Sequence, residues 1–155
     1  MTRPVTGTEG GLAQALDLRL RGTAIGPDAP GYESARQVHN GMIDRRPAVI
    51  ARCLDAGDVI AAVDFARGER LDLAVRCGAH SPTSSSVDDG LQIDLSPIRY
   101  VQVDPDARTA RVGGGTTLGD VDHATGAFGL AAPFGTVSTT GVGGLTLGGG
   151  GMEVV

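Results

Sequence analysis

The alternation of apolar and polar residues divides the first half of the chain into short elements. Residues 11–20 place leucines and alanines near helical spacing, which predicts a short amphipathic helix. An apolar run at 48–51 follows a proline and is typical of a strand start. The segment 57–69 repeats apolar residues at helical spacing, and 71–77 predicts a second buried strand. This strand, helix, strand order favours a βαβ unit.

Two segments of the first half carry more specific expectations. The Gly and Pro residues of 22–36, "GTAIGPDAPGYESAR", predict a turn-rich connection. The helix over about 57–69 follows two aspartates, and either Asp55 or Asp58 can cap it. The side chains that we expect to point mostly inward from this helix are Val59, Ile60, Val63 and Phe65.

The second half of the chain predicts further strands and one more helix. One short strand is expected within 91–96, and 101–115 predicts two strands split by a turn at Pro105–Asp106. Residues 117–128 are typical of a helix that stops at Gly129. The elements together indicate an α+β or α/β fold.

Composition and charge narrow the class of protein. The 155 residues suit one domain, with a net charge of −5 and arginine as every one of the 13 basic residues. Without a basic stripe, a nucleic-acid partner held by phosphate contacts is not expected. Cys53 and Cys77 fit no zinc-ligand spacing, and no apolar run is long enough for a bilayer span. We therefore expect a cytoplasmic chain with two free thiols, no metal and no membrane partner.

The glycines are concentrated late in the chain, where charge is scarce. Fourteen of the 25 glycines lie between Gly113 and Gly151, and Glu153 is the one formally charged residue in 123–155. Successive backbone N–H groups in Gly-rich turns form concave sites for phosphate oxygens without lysine. The segments 77–87 and 134–151 are two such loops, although either one alone is more often a simple turn. Neither contains a P-loop motif, and a complete Rossmann unit is lacking.

Four ordered blocks resemble a known family. They read "RCGAHS", "IDLS", "GGGTTLGDVD" and "GLAAPFGTVSTTGVGGLTLGGG". Over about residues 40–151 their order and spacing are similar to the FAD-binding domain of the vanillyl-alcohol oxidase type, with the closest likeness to berberine-bridge-enzyme-like flavin oxidases. The resemblance implies an α+β, two-lobed, PCMH-type FAD-binding domain. It implies a βαβ N-terminal lobe over part of 36–151 and the start of a second, mixed-sheet lobe, after a tail and short helix in 1–35.

The resemblance also implies which residues contact FAD. These are Arg76, Cys77, Gly78, Ala79, His80, Ser81, Gly135, Val137, Ser138, Thr139, Thr140, Gly141, Gly144, Leu145, Gly148 and Gly149. In the family, the histidine that matches His80 commonly carries the flavin through a bond to the 8α-methyl group. A neutral imidazole nitrogen is a competent nucleophile for that bond. The alternative is a histidine that hydrogen-bonds within its own loop.

Three positions depart from the family's pattern. Ala79 replaces a preferred glycine, and a positive φ there would cost about 1 kcal/mol. Cys77 places a thiol where glycine or serine is usual, which could add sensitivity to oxidation. Some relatives attach the flavin a second time through a cysteine, but Val137 occupies that position. The resemblance therefore implies one covalent attachment, through His80.

The remaining polar residues carry no assigned chemistry. His39 and His123 lack partners at metal-ligand spacing, so we interpret both as surface or capping residues. We expect Asp120 on a solvated helix face and the pair Asp88–Asp89 in a turn before Gly90. No catalytic residue can be assigned within the sequence.

The resemblance implies further chain beyond the last block. In the family, the glycines at 148–150 are followed by the rest of the FAD domain and a separate substrate domain, and residues 152–155 do not match. We therefore expect a truncated chain whose strands near 91–112 lack sheet partners. The implied function is the N-terminal part of an oxidoreductase that oxidises an alcohol or sugar-like small molecule by hydride transfer to FAD. The alternatives are a non-catalytic FAD- or nucleotide-binding module and an inactive fragment.

Overall fold

The computed structural model describes residues 9–81 and 85–148, in which six strands and five helices form. The strands are β1 (Thr23–Ile25), β2 (Val49–Arg52), β3 (Leu73–Arg76), β4 (Leu91–Asp94), β5 (Val101–Asp104) and β6 (Thr109–Val112). The helices are α1 (Glu9–Asp17), α2 (Tyr32–Arg36), α3 (Ala56–Glu69), α4 (Leu118–Gly126) and α5 (Val142–Gly148).

A four-stranded sheet forms the first lobe, with the order β1-β2-β4-β3. Strands β2 and β3 both run parallel to β4, and β1 is antiparallel to β2. The predicted βαβ unit is therefore present as β2, α3 and β3. One face of the sheet presents Val49, Ala51, Leu91 and Ile93 to a core shared with α1 and α3. The opposite face carries Ile50, against which Tyr32 of α2 packs.

The helix α3 begins and ends close to the predicted positions, and three of its four predicted inward residues contact the core: Phe65 is buried, and Val59 and Val63 pack against it. Asp55 is its cap, because its side chain accepts a hydrogen bond from the Asp58 N–H at 3.1 Å. The prediction that Ile60 points inward is wrong, since its side chain is 63% exposed. The buried positions are 58, 62, 65 and 66, a stripe at helical spacing that leaves position 60 on the far side.

The second lobe consists of the β5–β6 hairpin packed with α4 and α5. Its core joins Leu118, Val121 and Val142. The predicted turn between the strands is present, and α4 ends shortly before Gly129, which has a φ of +67°. The expectation that strands near 91–112 lack partners is wrong for β4, which lies between β2 and β3. Within the described residues, β5 and β6 pair only with each other.

Residues 22–36 are more ordered than their Gly and Pro content predicts. They contain β1 and α2, and the Tyr32 hydroxyl donates to the Pro47 carbonyl at 2.6 Å. Both elements are too short to give a periodic pattern, so their contacts with β2 define them. The predicted tail lies outside the described residues up to position 8, and α1 begins at Glu9. Over residues 9–81 and 85–148, no helix combines the length and apolar character of a membrane span.

Candidate functional site

The first half of the site is the loop that leaves the carboxyl end of β3. Ala79 has a φ of +56°, the left-handed conformation that favours glycine. Among the described residues, the backbone N–H groups of Gly78, Ala79 and His80 donate to no protein acceptor. Such free donors in successive residues form the type of concave site that binds phosphate oxygens.

The second half of the site is a helix where the sequence indicated a loop. Val142–Gly148 forms α5, so Gly144, Leu145 and Gly148 lie on a helix. Glycine is a poor helix former, and tertiary contacts explain the difference. The Val142 N–H donates to the Thr116 carbonyl at 2.9 Å, and the Gly143 N–H donates to the Gly114 carbonyl at 3.0 Å.

The two segments meet at two glycines that have no room for a side chain. A Cβ on Gly78 would lie 2.5 Å from the Gly141 nitrogen. A Cβ on Gly141 would lie 2.1 Å from the Cys77 sulfur and 2.3 Å from the Gly78 nitrogen. The buried Cys77 thiol also donates to the Gly114 carbonyl at 2.6 Å. The thiol at this position therefore ties the β3 loop to the turn that precedes α4.

Between the two segments lies a cavity of ≈ 290 Å³. Its lining consists of Cys77, Gly78, Ala79, His80, Ser81, Ser85, Thr140, Gly141, Gly144, Leu145 and Gly148. None of these described residues is Lys, Arg, Asp or Glu. Small side chains leave the backbone accessible, and outside the backbone of α5 itself no described atom lies within 4 Å of where a Cβ on Gly144 would be. The site offers backbone dipoles and hydroxyls, which suits an anionic group with polar oxygens.

His80 has two neighbours that restrict its ring. The Thr139 Oγ1 lies 3.0 Å from the His80 Nε2 atom. The His39 ring stacks on the His80 ring, with centroids 4.3 Å apart and planes inclined by 26°. The interpretation of His39 as a surface residue is therefore incomplete: it is exposed, but its ring has a partner in the site.

Several sequence-predicted residues lie beside the cavity or away from it. Arg76 pairs with the buried Asp94 at 3.4 Å and donates to the Gln37 carbonyl at 3.3 Å. Val137 is half-exposed, and the Ser138 carbonyl accepts from the Gly119 N–H at 2.9 Å. The remaining two are Gly135, which lies next to Leu118, and Gly149, which is outside the described residues.

Sequence reasoning missed two residues at the site. Ser85 lines the cavity, and its hydroxyl donates to the Ser81 carbonyl at 3.1 Å. His39 reaches the site from a different segment, and its N–H donates to the Ala79 carbonyl at 3.0 Å. The repeated serines of 81–86 were a signal for the first. Nothing local to "QVHNG" identified the second, because its contact is made across the fold.

The other candidate polar residues have structural roles. Asp120 is partly exposed at the start of α4, and its carboxylate accepts from the Thr117 N–H at 3.0 Å and from the Arg99 guanidinium at 2.8 Å. Hydrogen bonds from Arg99 and Thr117 hold the pKa of Asp120 well below its usual range. The pair Asp88–Asp89 lies in a bend before Gly90, as expected.

Both cysteines are free, and they differ in their surroundings. Burial raises the pKa of the Cys53 thiol to about 12, and the nearby carboxylates of Asp58 and Asp94 add to the effect. Cys53 is therefore a thiol and not a reactive thiolate at neutral pH. In the described segments, no three His, Cys, Asp or Glu side chains converge on a point where a metal could bind.

The comparisons with known proteins agree with this geometry. Residues 47–155 match the family described as FAD binding domain. The chain is 37% identical over 137 residues to (R)-6-hydroxynicotine oxidase of Paenarthrobacter nicotinovorans, covering 88% of this chain and 30% of the relative. It superposes on a crystal structure of 6-hydroxy-D-nicotine oxidase from Arthrobacter nicotinovorans with a TM-score of 0.79 and 33% identity, covering 92% of this chain and 30% of that one.

A plant protein has a similar fold. The Physcomitrella patens berberine-bridge-enzyme-like protein 1 superposes with a TM-score of 0.77 and 26% identity, covering 88% of this chain and 30% of that one. The fold and the match over 47–155 define an FAD-binding domain, and the chain belongs to that family. More narrowly, its relatives are FAD-linked oxidoreductases of the vanillyl-alcohol oxidase and berberine-bridge-enzyme-like class. The chain spans about 30% of the length of the relatives compared above.

Proposed function

We propose that the cavity holds the diphosphate of FAD. The supporting observation is that two glycine-rich segments far apart in sequence close around one cavity where the N–H groups of Gly78, Ala79 and His80 have no acceptor among the described residues. A diphosphate needs such donors, and the absence of lysine and arginine from the described lining leaves backbone dipoles and hydroxyls to provide them. Thr140 and Gly141 complete the opposite wall. Arg76 supports the loop from outside the cavity through Asp94.

We also propose that His80 carries the flavin covalently. In that step an imidazole nitrogen exchanges its hydrogen for a bond to the 8α carbon, which loses one hydrogen of its methyl group. The two hydrogens lost in this step carry two electrons and two protons to the flavin ring, and dioxygen takes them up with release of hydrogen peroxide. Val137 has no thiol, so the attachment is single. The neighbours Thr139 and His39 support this role, because they restrict the ring of His80 at the edge of the cavity.

The activity that we propose belongs to a longer protein. Bound FAD accepts a hydride, and by family resemblance its donor is an alcohol or sugar-like small molecule. The described lining of the cavity contains no carboxylate base, so the chain's own residues bind and orient the cofactor. The same observation favours the second candidate function, an FAD-binding module that has no turnover by itself.

The visible absorption spectrum of the purified chain tests binding and attachment together. We expect a yellow chain whose flavin absorbance stays with the protein pellet after acid precipitation. In the His80→Ala variant the colour should move to the supernatant, while His123→Ala, an exposed histidine on α4, should behave as wild type. A chain that stays colourless after refolding with FAD contradicts both functions. Colour that acid removes from the wild-type chain contradicts the covalent attachment alone.

Turnover separates the two candidate functions. For the FAD-binding module, the loaded chain should show no reduction of its flavin by any of a panel of primary alcohols and aldoses under anaerobic conditions. Bleaching of the flavin absorbance by one of them would show that the chain is catalytic by itself. The flavin absorbance of a longer relative that contains this segment should be bleached by a member of the same panel, as expected for an oxidoreductase.

A further inference from the structure

The ring of His39 reaches the site from the segment between α2 and β2. We call residues 37–44 the strap. The strap crosses the β3 loop, and its His39 ring lies against one face of the His80 ring at 4.3 Å. An interplanar angle of 26° leaves the two rings nearly parallel, a geometry that blocks this face of His80 and limits its rotation.

Contacts that do not involve the His39 ring hold the strap in place. Arg36 is largely buried and bonds to the Asp44 carboxylate and, at 3.2 Å, to the Arg45 carbonyl. The Gln37 carbonyl accepts from Arg76 at 3.3 Å, and the His39 N–H donates to the Ala79 carbonyl. Removing the imidazole of His39 therefore leaves the strap's backbone and ionic contacts intact, so a substitution there isolates the ring.

The stack and the Thr139 contact restrict His80 in complementary ways. The Thr139 hydroxyl lies in hydrogen-bond range of Nε2, which limits rotation of the ring within its own plane. The His39 ring limits the tilt of that plane. A nucleophile held in one orientation reacts faster than one that samples many, because the cost of ordering it has been met before reaction.

We propose that His39 is a positioning residue for His80, holding its imidazole ring in the orientation in which it bonds to the flavin. This inference rests on the covalent attachment proposed above. The restraint on His80 comes from the flat ring stacked against it, so another flat side chain at position 39 should supply the same restraint. His39 itself forms no bond to the cofactor in this role.

The rate of attachment tests the role of the ring. FAD is added to the wild-type apo chain and to His39→Ala, His39→Phe and His123→Ala, and acid-stable flavin fluorescence is followed with time. We expect His39→Ala to slow attachment about tenfold or more, because a loosely held nucleophile loses its alignment. His39→Phe should restore most of the rate, and His123→Ala should match wild type. Equal rates for wild type and His39→Ala, or a His39→Phe variant as slow as His39→Ala, would overturn the proposal.

Two further measurements separate positioning from general damage and from failure of the proposed function. In the His80→Ala background, where attachment is impossible, the Kd for FAD should be unchanged by His39→Ala; a large increase would show that His39 supports binding instead. In the apo chain, the imidazole proton resonances of His80 should shift in His39→Ala, which removes the ring current, and unchanged resonances would overturn the stack. A wild-type chain that binds FAD without attaching it overturns the covalent proposal and this role together. A chain that binds no FAD overturns the proposed function, and the role of His39 with it.

Discussion

Ala79 has an unfavourable backbone conformation at the centre of the proposed FAD site. Its φ of +56° places its Cβ close to the following carbonyl oxygen, a strain that glycine does not have. We expect Ala79→Gly to stabilise the chain by about 0.5 kcal/mol, the strain released less the added flexibility of the unfolded chain. Urea denaturation measures the change. The matched control is Ala61→Gly inside α3, which should destabilise by about 1 kcal/mol, and a similar loss at position 79 would contradict the assignment of strain.

Asp58 is a buried carboxylate that holds three backbone N–H groups. It accepts from Arg21 at 2.7 Å, Gly22 at 3.0 Å and Leu54 at 2.8 Å, and so ties the end of β2 to the start of β1. Burial by itself raises the pKa of this carboxyl, but the N–H groups of Leu54, Arg21 and Gly22 outweigh it and the pKa is lowered.

We expect Asp58→Asn to destabilise the chain at neutral pH by about 2–4 kcal/mol, because an amide cannot accept all three hydrogen bonds. The lowered pKa of Asp58 means that the ionised group stabilises the fold above its unfolded pKa of about 3.9, and this contribution is lost as the pH falls through the folded pKa. The variant should therefore lose less stability than wild type on acidification. Free energies of unfolding measured between neutral and acidic pH check this, and parallel curves would contradict it.

At the scale of single residues, the family resemblance implied FAD contacts for His80 and the small residues around it, and these contacts stay a prediction. In the structure His80, Gly78 and Gly141 line the cavity. The small residues of these segments leave backbone N–H groups accessible, which is a local property that the sequence shows. His39 was missed because stacking depends on the course of the strap, which no spacing rule describes. Arg76 was expected to contact FAD, but its guanidinium pairs with Asp94 and it is not among the described residues that line the cavity.

The first turn of the helix α4 is held by side-chain hydrogen bonds and an ion pair. Thr117 and Asp120 form a reciprocal capping box, and Arg99 bonds to the same carboxylate. We expect Asp120→Ala to destabilise the chain by about 1–2 kcal/mol, since it removes one cap hydrogen bond and one ion pair. Thermal unfolding compares it with Asp122→Ala, an exposed position on the same helix where little change is expected. Equal effects at the two positions would show that the box does not stabilise the helix.

At the scale of elements, helical spacing predicted the long helix α3, and apolar runs predicted the strands β2, β3 and β4. The elements that were missed, β1, α2 and α5, have three, five and seven residues. Such short segments do not form by themselves, because nucleation is unfavourable, and they depend on contacts with neighbouring elements. α5 shows this most clearly, since its three glycines oppose a helix and hydrogen bonds to the turn before α4 begin it.

At the scale of the whole molecule, the two lobes contact each other at the site. Gly141 of the second lobe lies against Cys77 and Gly78 of the first, and its Cβ would lie 2.3 Å from backbone. We expect Gly141→Ala to destabilise the chain by about 1–3 kcal/mol and to weaken FAD binding, because the cavity cannot keep its shape. Fluorescence titration with FAD and urea denaturation measure the two effects.

A matched substitution controls for the change of residue type. Gly68 lies in α3, and outside the backbone of that helix no described atom lies within 4 Å of where a Cβ at this position would be. Gly68→Ala should stabilise the chain by about 0.5–1 kcal/mol and leave FAD binding unchanged. If Gly141→Ala binds FAD as tightly as Gly68→Ala does, the close approach of the two lobes is not required for the site.

Local patterns left the choice between an α+β and an α/β fold open, and the family resemblance favoured α+β. The sequence by itself determined the βαβ unit and the two glycine-rich segments that line the cavity. These follow from local rules: periodicity selects an element, and glycine content with absent charge indicates what a loop can bind. Tertiary structure alone decided that β4 is a central strand, that the second loop becomes α5, and that His39 covers His80. Each of these depends on residues distant in the chain meeting in space. Their energies come from those contacts and are not encoded in any short stretch of sequence.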